Sequence, residues 1–450
     1  MEQKRIIIIG AGPTGLGAAQ RLVELGYKNW AIYEKNNYVG GLAASFKDDR
    51  GFTWDVGGHV LFSHYEYFDN LFEKLTNKKY FKHLRESWIC YKNSFVPYPF
   101  QNNIRYLPED DLLECLNGLI EAQTAIKSKI KSDNFEDWIY PTFGNGISKH
   151  FMIPYNTKVW GFPLNKMSND WIAERVSVIN YKKLLENILL KKDDVSWGPN
   201  NKFKFPKHGG TGSIFEAILP SIKDKLSLNS ELTSIDVKSK TLNFKGGRKD
   251  SYDILINTSP IDNFVKSMKS APDGVISASK ELKSNGGLIV GIGLKKPCPS
   301  NKCWIYFPEN NSPFYRVTYF SNYSQYNAPD NEHYSLMCET TYSKFKKVNK
   351  DQIVEDTIQG LINMKFISKE DRKKIVSTYV IDIDKSYPIP TINRDSALKK
   401  IQPYFEKNDI YSRGRFGGWK YEIGNMDHSV MQGVEVVNRL LKGDPETVYF

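Results

Sequence analysis

Residues 4–35 read KRIIIIGAGPTGLGAAQRLVELGYKNWAIYEK, and few folds accept such a stretch. Ile6 to Ile9 is an unbroken β-branched run, the mark of a strand buried on both faces. Gly10, Gly12 and Gly15 follow in G-x-G-x-x-G spacing. Leu16, Ala19, Leu22, Val23 and Leu25 then recur at helical intervals until Gly26 stops the helix. NWAIYEK supplies a second strand ending in an acid, Glu34, twenty-four residues after Gly10. Together these make one βαβ unit. The glycines allow a tight turn and a close approach of backbone to a pyrophosphate at the helix N-terminus, and Glu34 can accept hydrogen bonds from a ribose. The glycine spacing alone is weak; strand, helix and terminal acid in this order point to a dinucleotide-binding fold.

At 450 residues the chain is long enough for two or three domains. Between about residues 104 and 190, helical spacing dominates (PEDDLLECLNGLIEAQTAI, NFEDWIY, YKKLLENILL), which predicts a helical insertion. Short strands return over residues 202–258 and end in YDILINTS, a buried strand of the kind that rejoins the nucleotide-binding sheet. From about residue 263 to 394, runs such as GGLIVGIGL, KCWIYFPE, FYRVTYFS and HYSLMCETTY predict mostly antiparallel strands, interrupted by one helix over residues 351–362. No apolar run approaches the roughly 18 to 20 residues of a membrane span, so a soluble protein is expected. MEQKR runs straight into the first strand and leaves no room for a signal peptide. Five scattered cysteines (Cys90, Cys115, Cys298, Cys303, Cys338) argue for a reducing cytoplasm and against a disulfide framework, and Cys298 and Cys303 lack the second pair of a zinc site, so no metal is expected. The net charge is +11, but the lysines are spread as surface pairs without a basic stripe. Nucleic acid is therefore not an expected partner, whereas an anionic small substrate would feel the field.

Residues 413–433, RGRFGGWKYEIGNMDHSVMQG, form a second glycine-rich stretch leading into a last helix with Val430, Val434, Val437 and Leu441 on one face. One Rossmann domain normally completes an NAD site. An extended FAD is instead gripped from both ends of the chain, with its pyrophosphate on the first helix and its ring on a later helix N-terminus. Gly424, Asn425, Met426 and Asp427 stand where such a helix starts and where free N–H groups can face flavin oxygens. Gly40 and Gly41 of VGGLAAS add a close backbone approach beside the pyrophosphate. As a set, these features favour FAD over NAD.

Longer segments are more specific than the glycine loop. DVGGHVLFSHYEYFD, VPYPFQNNI, PYNTKVWGFP, ERVSVIN, FPKHGGTGSIF, KCWIYFPE, PFYRVTYFSNYS, SYPIPT and RGRFGGWKYEIGNMDHS resemble the UDP-galactopyranose mutases, and more the eukaryotic-type branch than the common bacterial one. The matches are collinear from Ile6 to Gly433. The resemblance implies an α/β fold with three parts. These are a discontinuous Rossmann-like FAD-binding domain (residues 1–85, 203–262 and 405–450), a helical substrate domain (103–202) and an antiparallel β-sheet domain (86–102 and 263–404). It also implies interconversion of UDP-galactopyranose and UDP-galactofuranose without net redox change. In that family the N5 of reduced FAD attacks the anomeric carbon and expels UDP, and the sugar ring opens and recloses before UDP returns.

Carried onto this sequence, the resemblance makes Arg175 and Arg316 the expected diphosphate-binding arginines and His59 a histidine beside the flavin; these three are the expected catalytic residues. Forked cations of this kind stabilise charge developing on a leaving diphosphate. Tyr306, Tyr387 and Tyr421 are expected to bind the same phosphates. Tyr98 and Phe100 would stack on or edge the uracil, Gln101 would hydrogen-bond to it, Asn156 and Trp160 would support the nucleotide, and Asn200 and Trp304 would line the sugar. The expected cofactor contacts are Gly10, Gly12, Gly15, Glu34, Gly40, Gly41, Leu42, Leu232, Arg415, Gly424, Asn425, Met426 and Ser429. Met426 departs from the glutamine common there, which removes a donor and could shift the reduction potential. UDP-galactose is the expected substrate, NADPH or a separate flavin reductase the candidate source of electrons, and an oligomer remains open. Two alternatives share the scaffold: a mutase for another nucleotide-linked pyranose, and an amine-oxidase-like oxidoreductase, which would not need two arginines and several tyrosines for a diphosphate.

Overall fold

The computed structural model describes residues 3–124, 132–172 and 175–450. A five-stranded parallel sheet takes its strands from three distant stretches, in the order Ile410–Ser412, Ile254–Asn257, Ile6–Ile9, Trp30–Tyr33, Leu226–Ser227. The all-isoleucine strand lies at its centre because both of its faces are covered. Ile6 and Ile8 pack with Leu16, Phe72, Val430 and Val434 on one side. Ile7 and Ile9 pack with Phe244, Ile261, Ile401 and Phe405 on the other.

The first helix, Pro13–Glu24, and the last, Met426–Lys442, cross in close contact on one face of this sheet. Two glycines permit the approach. A Cβ on Gly17 would stand 2.5 Å from the Val430 carbonyl oxygen, and one on Gly433 would stand 2.1 Å from that of Thr14. The crossing brings the N-terminal ends of both helices to the same region.

The second large sheet has seven strands in the order Ile375–Ile389, Lys283–Leu294, Tyr334–Tyr342, Arg316–Tyr319, Trp304–Tyr306, Ser87–Tyr91, Ser94–Pro97. It is antiparallel except where Trp304–Tyr306 runs parallel to Ser87–Tyr91, a departure from the alternation expected along the chain. Its register sets Tyr306 opposite Arg316 and Arg316 opposite Glu339, so the three side chains form a row on one face. Helices Glu109–Thr124, Phe135–Ile147, Ile153–Trp160 and Tyr181–Leu189 enclose a separate apolar core of Phe100, Phe135, Phe143, Phe151, Trp160 and Trp171. The reading of a helical stretch through residue 126 extends beyond Thr124 into residues 125–131, which lie outside the described part.

Residues 263–394 hold more helix than expected. Ile261–Ser267 and Asp273–Glu281 precede the long strand, and the single expected helix is Ile353–Asn363. Arg394–Lys407 is a further helix, unread because Pro403 sits inside it; Ala397, Leu398, Ile401 and Phe405 nonetheless bury one face at helical spacing. No helix among the described residues is long and apolar enough to cross a membrane.

The helix crossing yields a direct test. Gly433→Ala forces a methyl into the Thr14 carbonyl and should cost about 1 to 3 kcal/mol through overpacking, with FAD lost along with stability. Thermal unfolding and the flavin-to-protein absorbance ratio would read this, and wild-type values for both would contradict the close packing.

Candidate active site

The phosphate loop is built by steric necessity. Gly10 has φ +97, and a Cβ on Gly15 would lie 1.9 Å from the Gly10 carbonyl oxygen. Gly12 is different: the nearest heavy atom to its added Cβ is the Gly41 Cα at 4.0 Å, which leaves a glycine-lined cradle over the helix start. The Gly40 amide donates to the Ala11 carbonyl at 2.8 Å and fixes the two glycine turns against each other. Glu34 is buried at the strand end; its carboxylate accepts from the Ala11 amide (2.8 Å) and the Asn36 amide (2.9 Å). Leu42 lies in the turn Gly41–Ala43, and Leu232 packs on the apolar layer that also receives Leu42.

The last helix presents a second open end. Asn425 is its N-cap, yet its side chain caps no amide; its Oδ1 accepts from Arg175 Nη1 at 3.0 Å instead. Arg175 also donates to the Glu422 carbonyl, and its guanidinium lies 5.7 Å from the Tyr421 ring centroid. Arg415 donates to the Gly424 carbonyl at 2.9 Å and lies 5.6 Å from the Tyr387 ring centroid. Burial depresses its pKa; Tyr387 and Tyr421 oppose this, and the Arg175 charge adds to it. Met426 is half-buried against the apolar cluster on that face of the parallel sheet, and the Ser429 amide donates to the Asn425 carbonyl at 2.8 Å.

The second sheet supplies the opposite wall. Arg316 grips Glu339 with two parallel bonds, Nε to Oε1 at 2.6 Å and Nη2 to Oε2 at 2.7 Å. Glu339 also accepts from the Tyr315 hydroxyl (2.8 Å) and the Gly58 amide (3.1 Å). Burial opposes the ionisation of Glu339, but the Arg316 charge and these donors outweigh it and hold its pKa below the usual carboxylate range. Burial would lower Arg316 in the same way, and the Glu339 carboxylate raises it further than burial depresses it. A guanidinium has five donors and the carboxylate takes two, so Arg316 keeps capacity for a second anion.

His59 follows Gly58 on this wall. Its Nδ1 is buried and has no hydrogen-bond partner in the protein. Burial, with Arg415 and Arg316 adding to it and Glu339 opposing, pushes the imidazole down to about 3.

Aromatic rings link the walls. Tyr98 and Tyr306 centroids are 5.5 Å apart, Tyr155 meets Tyr306 edge-on at 5.3 Å, Trp160 meets Tyr421 at 4.9 Å, and Tyr387 meets Tyr421 at 5.7 Å. Burial raises the hydroxyl pKa of both Tyr306 and Tyr387. Several expected nucleotide contacts are already engaged within the protein. Phe100 is fully enclosed and stacks on Phe151 at 4.7 Å. Gln101 donates to the Ser177 carbonyl (2.7 Å), and Asn156 donates to the Met152 carbonyl (2.7 Å). Trp304 is buried near Phe203 and Tyr323. Asn200 accepts from Arg85 Nη1 at 2.6 Å.

Sequence reasoning missed Glu339, Tyr155 and Arg85. Glu339 was detectable as the one acid inside the apolar run LMCETTY. Arg85 joins the 195–200 loop to the Tyr98 ring, donating to the Val195 (2.8 Å) and Trp197 (2.6 Å) carbonyls at a centroid distance of 5.0 Å. Nothing near it in sequence marks that loop.

A glycine cradle, two helix ends without side-chain caps, a buried acid at the end of the second strand and an orphaned imidazole nitrogen fit an extended flavin dinucleotide, and they define a flavoprotein. Residues 13–382 match the family of flavin-containing amine oxidoreductases. The crystal structure of a reduced UDP-galactopyranose mutase superposes with a TM-score of 0.97 at 44% identity, covering 100% of this chain and 96% of that one. The chain therefore belongs to the UDP-galactopyranose mutase branch of the flavin-containing amine oxidoreductases. Other neighbours show the fold alone: putrescine oxidase bound to putrescine has a TM-score of 0.66 at 14% identity, covering 98% of this chain and 99% of that one. Among curated proteins, 4,4'-diaponeurosporene oxygenase of Staphylococcus haemolyticus (strain JCSC1435) is 43% identical over 72 residues, 16% of this chain and 14% of that protein, so the chain spans about one seventh of that relative.

Because His59 stays neutral in the fold down to about pH 3, while an unfolded imidazole titrates near 6.5, protons bind the unfolded state first as pH falls between those values. His59 thus subtracts stability progressively below about pH 6.5. His59→Gln should lose less stability than wild type between pH 7 and pH 4.5 in urea titrations. An equal loss would contradict the burial argument.

Proposed function

We propose that the protein interconverts UDP-galactopyranose and UDP-galactofuranose while its FAD is reduced. The carrying observation is the Arg316 fork, its side chain 18% exposed and held by buried Glu339 with donors to spare, in the region that also holds Arg175, Arg415 and the rings of Tyr306, Tyr387 and Tyr421. Such a wall suits a doubly charged diphosphate, whereas a neutral or cationic amine would meet three guanidinium groups.

Reduced flavin, when bound, supplies the nucleophile for the anomeric carbon. The glycine cradle and the two helix N-termini hold the cofactor's phosphates and ring. Arg175 and Arg316 stabilise negative charge as it grows on UDP, and their bonds to Asn425, Glu422 and Glu339 fix them beforehand, so little reorganisation remains for the reacting state. The raised pKa values keep Tyr306 and Tyr387 protonated and able to donate to phosphate oxygens. His59, neutral, can accept or donate at Nδ1 beside the flavin.

Tyr98 and the Gln101 segment would seat the uridine, with Phe100, Asn156 and Trp160 acting from behind as its rigid support, and Asn200 and Trp304 would face the sugar. NADPH or a separate reductase would supply the electrons. The five unpaired cysteines accord with a reducing cytoplasm.

Anaerobic incubation with dithionite and UDP-galactofuranose should yield UDP-galactopyranose only when the flavin is reduced. Arg316→Ala should keep its FAD and lose turnover by about 10² to 10³-fold, the usual cost of removing a donor aimed at transition-state charge. Near-normal activity in that variant would sink the diphosphate assignment. Hydrogen peroxide release on an amine, without sugar-nucleotide conversion, would indicate an oxidase.

A further inference from the structure

Gly57 to His64 forms a strap along the cleft and carries His59. Two anchors tie it to the strands around it. The Gly58 amide donates to Glu339 in the second sheet, and Leu61 exchanges backbone bonds with Lys204 in the small strand Lys202–Pro206, at 3.2 and 2.7 Å. Neither anchor touches the last helix, whose first turn would hold the flavin ring.

A third anchor does. Asp427, in that first turn, is 1% exposed. Its Oδ2 accepts from His64 Nδ1 at 2.8 Å and from the His64 backbone amide at 3.3 Å, and its Oδ1 accepts from His428 Nδ1 at 3.0 Å. The two imidazoles meet edge-on at 5.0 Å, and Tyr65 lies edge-on to His428 at 5.5 Å. Burial works against the Asp427 charge, but the imidazole donors outweigh it and hold the carboxyl below the usual range. An ionised carboxylate only accepts, so both Nδ1 atoms carry protons and both oxygens are satisfied without a bound cation. The His64 side chain is 31% exposed and also lies edge-on to Phe62 at 5.7 Å, and its polar contact to the last helix is the Asp427 carboxylate.

We propose that Asp427 is a positioning residue that locks the strap to the flavin helix through His64, and so sets where the His59 ring stands relative to the flavin. The clamp joins two segments 363 residues apart in sequence. In this arrangement Asp427 and His64 act through His59. The proposal rests on reading the cradle as a flavin site, and the test separates the two: purified wild type lacking flavin would sink that reading, and this one with it, before any variant is made.

The test measures the two-electron reduction potential of bound FAD in His64→Ala, His64→Asn, His59→Ala and the double variant His59→Ala/His64→Ala. His64→Ala should retain FAD but favour the oxidised form about tenfold, equivalent to about 30 mV for a two-electron couple. His64→Asn, whose side-chain amide can donate where Nδ1–H did, should restore the wild-type value. In the His59→Ala background, removing His64 should change nothing further, since the clamp acts through that ring. A wild-type potential in His64→Ala, or additive shifts in the double variant, would overturn the proposal. A general loosening of the fold would not be rescued by asparagine and would not vanish with His59.

Discussion

The crossing of the first and last helices at Gly17 and Gly433 is the contact on which the site depends. A side chain at either position would push the helices apart. Their N-terminal ends, more than four hundred residues apart in sequence, then could not serve one dinucleotide. Each end offers amides without a side-chain cap and a partial positive charge. One end suits a pyrophosphate; the other suits the ring where electrons arrive. The parallel sheet serves this crossing by holding Ile6–Ile9 centrally and letting chain from 254 to 257 and 410 to 412 return beside it.

The second constraint is electrostatic. Burying a guanidinium and a carboxylate together is costly, and a hydrophobic pair of similar volume would often be as stable; removing one partner of a buried pair typically costs about 3 to 5 kcal/mol. Arg316 and Glu339 therefore make sense as a device for fixing a partly exposed cation on a buried carboxylate, more than as a source of stability. Glu339 consumes two of the arginine's donors and fixes its plane. The Gly58 amide on the same carboxylate ties the strap carrying His59 to that plane. Cation, imidazole and flavin helix thus share one rigid frame, and Asp427 closes it from the other side.

The parallel sheet, its glycine loop and the last helix were legible because local patterns determine them: a β-branched run buried on two faces, glycines where a Cβ collides, valines at helical spacing. The positions of Glu34 after the second strand and of Asn425 at the start of the last helix were legible for the same reason. Arg394–Lys407 was not, because Pro403 masks a helix that burial of Leu398, Ile401 and Phe405 sustains. Glu339 and Arg85 were missed for a different reason. The role of Glu339 exists only in the strand register that places it opposite Arg316. That of Arg85 exists only where the 195–200 loop folds over it. Pairings across long sequence separations leave no periodic trace. The resemblance to known mutases found Arg316 but could not say what holds it.

Fold alone would not separate this protein from an amine oxidase, since putrescine oxidase shares the architecture at 14% identity. The difference lies in what the second sheet presents to the shared flavin cradle. Tyr306, Arg316 and Glu339 occupy one row on three neighbouring strands, and Tyr387 approaches from the edge strand Ile375–Ile389. A row of this kind turns the cleft from one that can admit an amine into one that favours a polyanion. The row lies apart from the glycine turns, although the two halves are packed together where Phe52 and Trp54 fill the space over Gly293 and Gly291. Chemistry on one scaffold can therefore diverge by rewriting a few inward positions on this sheet. The two crossing helices remain under the same steric demand at Gly17 and Gly433.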